Sequence, residues 1–131
     1  MSQEPLSQQP SGHQGQLPHD HGQKIEHTLE RMPGTQEFQA VSDIFRQLGD
    51  SSRTRIFWLL CHCEECVINL SAIMGMSSPA VSHHLKLLKA SGLIVSRREG
   101  KEVYYRAADT QAARLLHHMI EMLVEIACPN L

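Results

Sequence analysis

Residues 77–106 read SSPAVSHHLKLLKASGLIVSRREGKEVYYR, and this stretch decides the fold. Ser77 is placed to cap a helix. Pro79 suits a first turn, where its missing N–H has no intrahelical partner to lose. Val81, His84, Leu85 and Leu88 recur at i, i+3, i+4 and i+7, so they share one helix face. That face is expected to be buried, which makes His84 a core histidine. Ser78, Ser82, His83, Lys86 and Lys89 fall on the other sides. Ser91-Gly92 predicts the helix end. Leu93-Ile94-Val95 then starts a strand, Glu99-Gly100-Lys101 turns it, and Val103-Tyr104-Tyr105 returns. Lys86, Lys89, Arg97, Arg98, Lys101 and Arg106 face only Glu99 and Glu102, a net +4 in a chain whose formal charge is −2. A polar helix face beside a basic hairpin tip is what major-groove and phosphate contact require.

Upstream, Phe38, Val41, Ile44, Phe45 and Leu48 share a helical face that Gly49 closes. Asp50 or Ser51 caps the next helix, with Ile56, Leu59 and Leu60 inward and Arg53 and Arg55 either reaching phosphates or solvated. A short helix follows from Asn69, its expected cap, to Met74, with Leu70 and Ile73 inward. Gly75-Met76 turns the chain into Ser77. Two helices joined by a few residues containing Gly, the second polar on one face, make a helix-turn-helix. The hairpin after it makes a winged helix. The expected class is therefore mainly α with a small β-hairpin. Thr110 to Ala127 is the longest helix, with Leu115, Leu116, Met119, Ile120, Leu123, Val124 and Ala127 as a wide apolar stripe. One small domain offers too little cover for it, so a homodimer through the terminal helices is expected.

With 131 residues the chain has room for one domain and a tail. Residues 1–23 are rich in Gln, Ser, Pro, Gly and His, and are expected to be a disordered tail before a DNA-binding and dimerisation domain over 24–131. The tail holds His13, His19 and His21, with His27 just beyond, either a metal-binding tract or solvated surface. Seven Asp or Glu against three Lys or Arg in residues 1–50 put the acidity away from the hairpin. No apolar stretch reaches membrane-spanning length, and the N-terminus has no signal-peptide core, so a cytoplasmic protein without a membrane partner is expected. Its four Cys are then expected reduced, which favours metal or redox chemistry over structural disulfides. There is no phosphate-binding Gly loop and no nucleophile motif, and Ser82 and His83 are helix neighbours that point apart, so no enzyme is expected.

LGDSSRTRIFWLL at 48–60, the run SHHLKLLKASGLIVSRREGKEVYY and the long C-terminal helix resemble the ArsR/SmtB family of bacterial winged-helix repressors. The resemblance covers about residues 36–127. It implies a homodimer on double-stranded operator DNA, released when an inducer binds, commonly a metal ion. It implies Ser78, Ser82 and His83 at the major groove, next to the capping Ser77 and to Lys86 and Lys89, and Arg97, Arg98 and Lys101 at the backbone or minor groove. The family's thiolate site falls on Cys66-Val67-Ile68, where only the first Cys is kept. Cys61 and Cys63 lie just upstream, with His62 between them. Three thiols suit a soft or borderline inducer such as Cd, Zn or Pb. A second family site across the terminal helices falls on Asp109, Gln111 and Met122 and is degraded, leaving His117, His118 and Glu121. His117 and Glu121 are i,i+4 on one face, either two ligands or solvated surface. The alternative trigger is thiol oxidation or persulfide formation at the same cysteines.

Overall fold

A computed structural model describes residues 17–130, so His13 lies outside the described residues. The chain falls into two units that divide between Asp43 and Ile44. The first holds α1 (Glu26–Arg31) and most of α2 (Thr35–Gln47). Phe38 and Val41, the apolar positions of α2 in this unit, are exposed.

The second unit contains α3 (Ser51–His62), α4 (Val67–Met74), α5 (Ser78–Ala90), β1 (Ile94–Glu99), β2 (Glu102–Ala107) and α6 (Gln111–Ala127). Three of its helices start alike. The side chains of Asp50, Ser77 and Thr110 accept the N–H three residues on, from Arg53 at 2.9 Å, Ala80 at 3.2 Å and Ala113 at 3.1 Å. Each satisfies an amide that the helix leaves without a partner. The start of α4 differs from expectation. Cys66 is its N-cap and offers no side-chain bond. Asn69 lies inside the helix and donates to the Glu65 carboxylate at 2.8 Å. Ile73 is exposed, because an eight-residue helix presents only Leu70 fully to the core. Gly75 ends α4 in the left-handed region at φ 66°, where a Cβ would be strained. The turn is closed by the Met76 N–H on the Ser71 carbonyl at 3.1 Å.

The core joins Ile56, Phe57 and Leu60 of α3, Leu70 of α4, Val81, Leu85 and Leu88 of α5, Leu93, Ile94, and Ala113 and Leu116 of α6. The hairpin pairs Ile94 with Ala107 through Glu99 with Glu102, antiparallel around a two-residue turn. Glu65 adds an isolated antiparallel bridge to β2: its N–H donates to the Tyr105 carbonyl at 3.0 Å and its carbonyl accepts from the Tyr105 N–H at 2.8 Å. The loop between α3 and α4 is thereby fastened to β2.

Arg53 is neither solvated nor free to meet a phosphate. It is buried, donating from Nε to the Gln47 carbonyl at 2.7 Å and from a guanidinium nitrogen to Nδ1 of His84 at 3.1 Å. Arginine only donates, so Nδ1 of His84 must offer its lone pair and the ring proton sits on Nε2. His84 is buried on the face shared by Val81, Leu85 and Leu88, as its spacing predicts. Burial holds its pKa below the ordinary histidine value, opposed by Asp50 and reinforced by the Arg53 and His83 charges.

A histidine kept neutral when folded gives stability that is present above about pH 6.5. That stability is lost as the pH falls from there through the lower native value. Urea unfolding between about pH 7 and pH 5 should therefore show a steeper loss of stability for the native chain than for His84→Gln, whose amide oxygen accepts from Arg53 without titrating. Equal slopes would contradict this assignment.

Candidate nucleic-acid interface and metal-ligand site

Packing four residues of α5 inward turns the rest outward. Ser77, Ser78, Ser82, His83, Lys86 and Lys89 are all exposed. Serine and histidine carry donors and acceptors for base edges, and lysine neutralises phosphate. Lys89 is also tied to β1, donating to the Ser96 hydroxyl at 2.7 Å.

The wing places Arg97, Arg98 and Lys101 at its exposed end. They are not equivalent. Arg97 donates to both oxygens of Glu64 at 2.9 and 2.8 Å and to Glu99 at 2.6 Å, and stacks over Tyr104 at 4.8 Å. These hydrogen bonds raise its pKa and lower that of Glu64. Its charge is already matched inside the chain. No side-chain hydrogen bond or ion pair is found for Arg98 or Lys101 among the described residues, and these two are the better phosphate candidates.

Cys61, Cys63 and Cys66 lie across the end of α3, the loop after it and the N-cap of α4. Cys61 and Cys66 are half-buried and Cys63 is exposed, with its thiol on the Leu59 carbonyl at 3.4 Å. Their sulfurs are not gathered within ligand distance of one another as a set. A thiolate site at these residues would need the loop to draw them together. The helical end of α3 holds Cys61, whereas Cys63 is already extended and Cys66 caps α4. Burial and the Glu121 charge push the Cys61 thiol up to about 11, and burial and Glu65 raise Cys63. Neither thiol is activated toward oxidation. Cys128 is exposed and unpaired with another thiol.

A different group does converge. Among the described residues, the only three or more His, Cys, Asp or Glu whose ligand atoms lie within 4.8 Å of one another are His62, His117 and Glu121. Nε2 of His62 and Nε2 of His117 are 3.0 Å apart. Oε2 of Glu121 is 3.6 Å from the first and 3.4 Å from the second. The Trp58 indole N–H donates to the same oxygen at 2.7 Å, and its ring lies 4.3 Å from that of His62. The Trp58 bond is the main cause of a lowered Glu121 pKa. His118 is exposed and apart from the group. Asp109 is paired with Arg114 at 2.5 Å. In the first unit, His19 and His21 stack 5.8 Å apart without forming a three-ligand group. The pair His117 and Glu121 was visible in sequence as i,i+4 neighbours. The partners Trp58 and His62, also i,i+4, lie more than fifty residues away and carry no pattern that joins them to it.

A helix-turn-helix with an exposed polar second helix and a basic wing defines a winged-helix DNA-binding transcriptional regulator, not an enzyme. Residues 50–96 match the bacterial regulatory protein, arsR family. The chain is 32% identical over 105 residues to the transcriptional repressor SmtB homolog of Synechocystis, covering 80% of each chain. Over 77 residues it is 38% identical to a cadmium resistance regulatory protein CadC homolog of Staphylococcus aureus, covering 58% of this chain and 64% of that one. The solution structure of a homodimeric winged helix-turn-helix DNA-binding domain of a possible ArsR-family regulator from Mycobacterium bovis superposes with a TM-score of 0.63 at 26% identity, covering 79% of this chain and 89% of that one. The chain belongs to the ArsR/SmtB family. No helix of the described residues is long and apolar enough to cross a membrane.

Proposed function

We propose that the protein is a homodimeric repressor that binds double-stranded operator DNA and releases it when a soft or borderline metal ion binds. The observation that carries the DNA reading is α5, whose buried Val81, His84, Leu85 and Leu88 leave Ser78, Ser82, His83 and Lys86 facing out beside the wing. The names of the SmtB and CadC relatives support repression and a metal inducer. Linkage then requires the metal to favour the form with lower DNA affinity, and DNA to weaken metal binding equally.

The dimer reading rests on α6. Leu116 is buried, and Met119 and Ile120 are partly buried on the core, but Leu115, Met122, Leu123, Val124 and Ile126 are exposed. Phe45, Leu48, Leu116, Met119, Leu123 and Val124 border an apolar groove along this helix. A second copy of the same helix covers such a face with a self-complementary surface, as two-fold dimers do. The raised thiol pKa values at Cys61 and Cys63 weigh against the oxidation and persulfide trigger.

Leu123→Glu should convert the dimer to a monomer by sedimentation and cost operator affinity tenfold or more, since paired half-sites need both subunits. A dimer that survives this change would exclude α6 as the interface. Measured against salt on an operator duplex selected from a random pool, Arg98→Ala and Lys101→Ala should each flatten the dependence by about one phosphate per subunit. Arg97→Ala should flatten it less, because Glu64 and Glu99 already match its charge. Unchanged slopes throughout would remove the wing from the phosphates. Adding Cd2+, Zn2+ or Pb2+ to that complex should weaken it by roughly five- to 150-fold. No response to any of the three would defeat the metal reading.

A further inference from the structure

We propose that His62, His117 and Glu121 form a site within one chain for a borderline divalent cation of zinc-like chemistry, and that this site is where the metal response originates. The second half rests on the metal-responsive reading above; the first does not.

Two imidazoles and one carboxylate are a ligand set that zinc and its neighbours accept. The spacing fits as well. Bonds of about 2.0–2.2 Å around a tetrahedral ion put ligand atoms about 3.3–3.6 Å apart. The three separations here are 3.0, 3.4 and 3.6 Å, so the atoms already stand near three corners of one tetrahedron. To bond to each other, one ring carries its proton on Nε2 and the other offers a lone pair. An ion needs both lone pairs, so the first ring moves its proton to Nδ1. The side chains of His62 and Glu121 are nearly half exposed, which gives an ion a way in and leaves the fourth corner to water. Trp58 supplies the outer support: its N–H fixes the Glu121 oxygen and its ring lies against His62.

The placement explains how such a site reaches the reading head. His62 is the last residue of α3, and His117 and Glu121 sit on α6, which bears the exposed apolar face. An ion would clamp these two helices together. Two and three residues beyond His62, Glu64 grips Arg97 and Glu65 pairs with Tyr105, so the clamped loop is the one that holds the wing.

Trp58 is the single tryptophan, so the site carries its own reporter. Co2+ is titrated into the reduced, metal-free full chain, followed by Zn2+. The proposal expects one Co2+ per chain, weak visible bands of a tetrahedral nitrogen and oxygen site, and a change in tryptophan emission. His117→Ala and Glu121→Gln should each weaken binding at least tenfold; the Gln keeps an oxygen for Trp58, so folding is not at issue. A strong near-ultraviolet thiolate band, or unchanged affinity in both variants, overturns the site. Operator release is measured in parallel with Zn2+. Release that persists undiminished in His117→Ala overturns the assignment of the trigger to this cluster while leaving the metal response intact. Binding at the cluster without release from the native operator complex supports the site and defeats the metal-responsive reading instead.

Discussion

The hydrogen bond between the Arg53 guanidinium and Nδ1 of His84 is a polar side-chain pair buried in the core of the second unit. It sits where α5 packs on α3, in line with Val81, Leu85 and Leu88. An arginine out of water is costly unless its donors are used, and here the Gln47 carbonyl and the His84 ring use them. The contact works only with α5 in one rotation about its axis. Turned by one residue, His84 would leave Arg53 unsatisfied and an apolar neighbour would be exposed. The same constraint sends Ser78, Ser82 and His83 outward. The reading face of α5 is therefore the complement of its packing face, set by the core and independent of any DNA.

Periodicity made much of this legible. The i, i+3, i+4, i+7 spacing located the buried face of α5, and Asp50, Ser77 and Thr110 stood at the helix starts they cap. The burial of His84 followed because it shared a stripe with three aliphatic residues. Arg53 was less readable: nothing local distinguishes an arginine that turns inward from one that turns out, since its partners lie on another helix. Arg97 is a similar case. Its basic character pointed to phosphate, but Glu64, thirty-three residues away, is what it meets. The cysteines are a different case. Three thiols in six residues are a strong chemical signal along the chain, and they fall across the last turn of α3, the extended Cys63 and the N-cap of α4 at Cys66.

The loop from Cys63 to Cys66 lies between the end of α3 and the wing. Its backbone is paired with β2 through Glu65, and its Glu64 carboxylate holds the wing arginine. Each link is modest, because the Arg97 pair is about half exposed and ion pairs at such positions contribute on the order of 0–1 kcal/mol. Modest links suit a switch. A loop locked by several kcal/mol would not move when a ligand binds with a coupling of about 1–3 kcal/mol.

Geometry also sets what a signal at His62 can do. The residue ends α3, whose Ile56, Phe57 and Leu60 lie in the core beneath α5. Close packing makes that core a poor absorber of small shifts, so a displacement at the end of α3 is passed on to neighbouring elements. Its nearest outlets are the Glu64–Arg97 pair and the Glu65–Tyr105 bridge, both of which lead into the wing. The recognition helix is held by the full apolar face and the Arg53 bond, whereas the wing is held by a hairpin and these exposed contacts. Of α5 and the wing, the wing is therefore the one a change at His62 moves first.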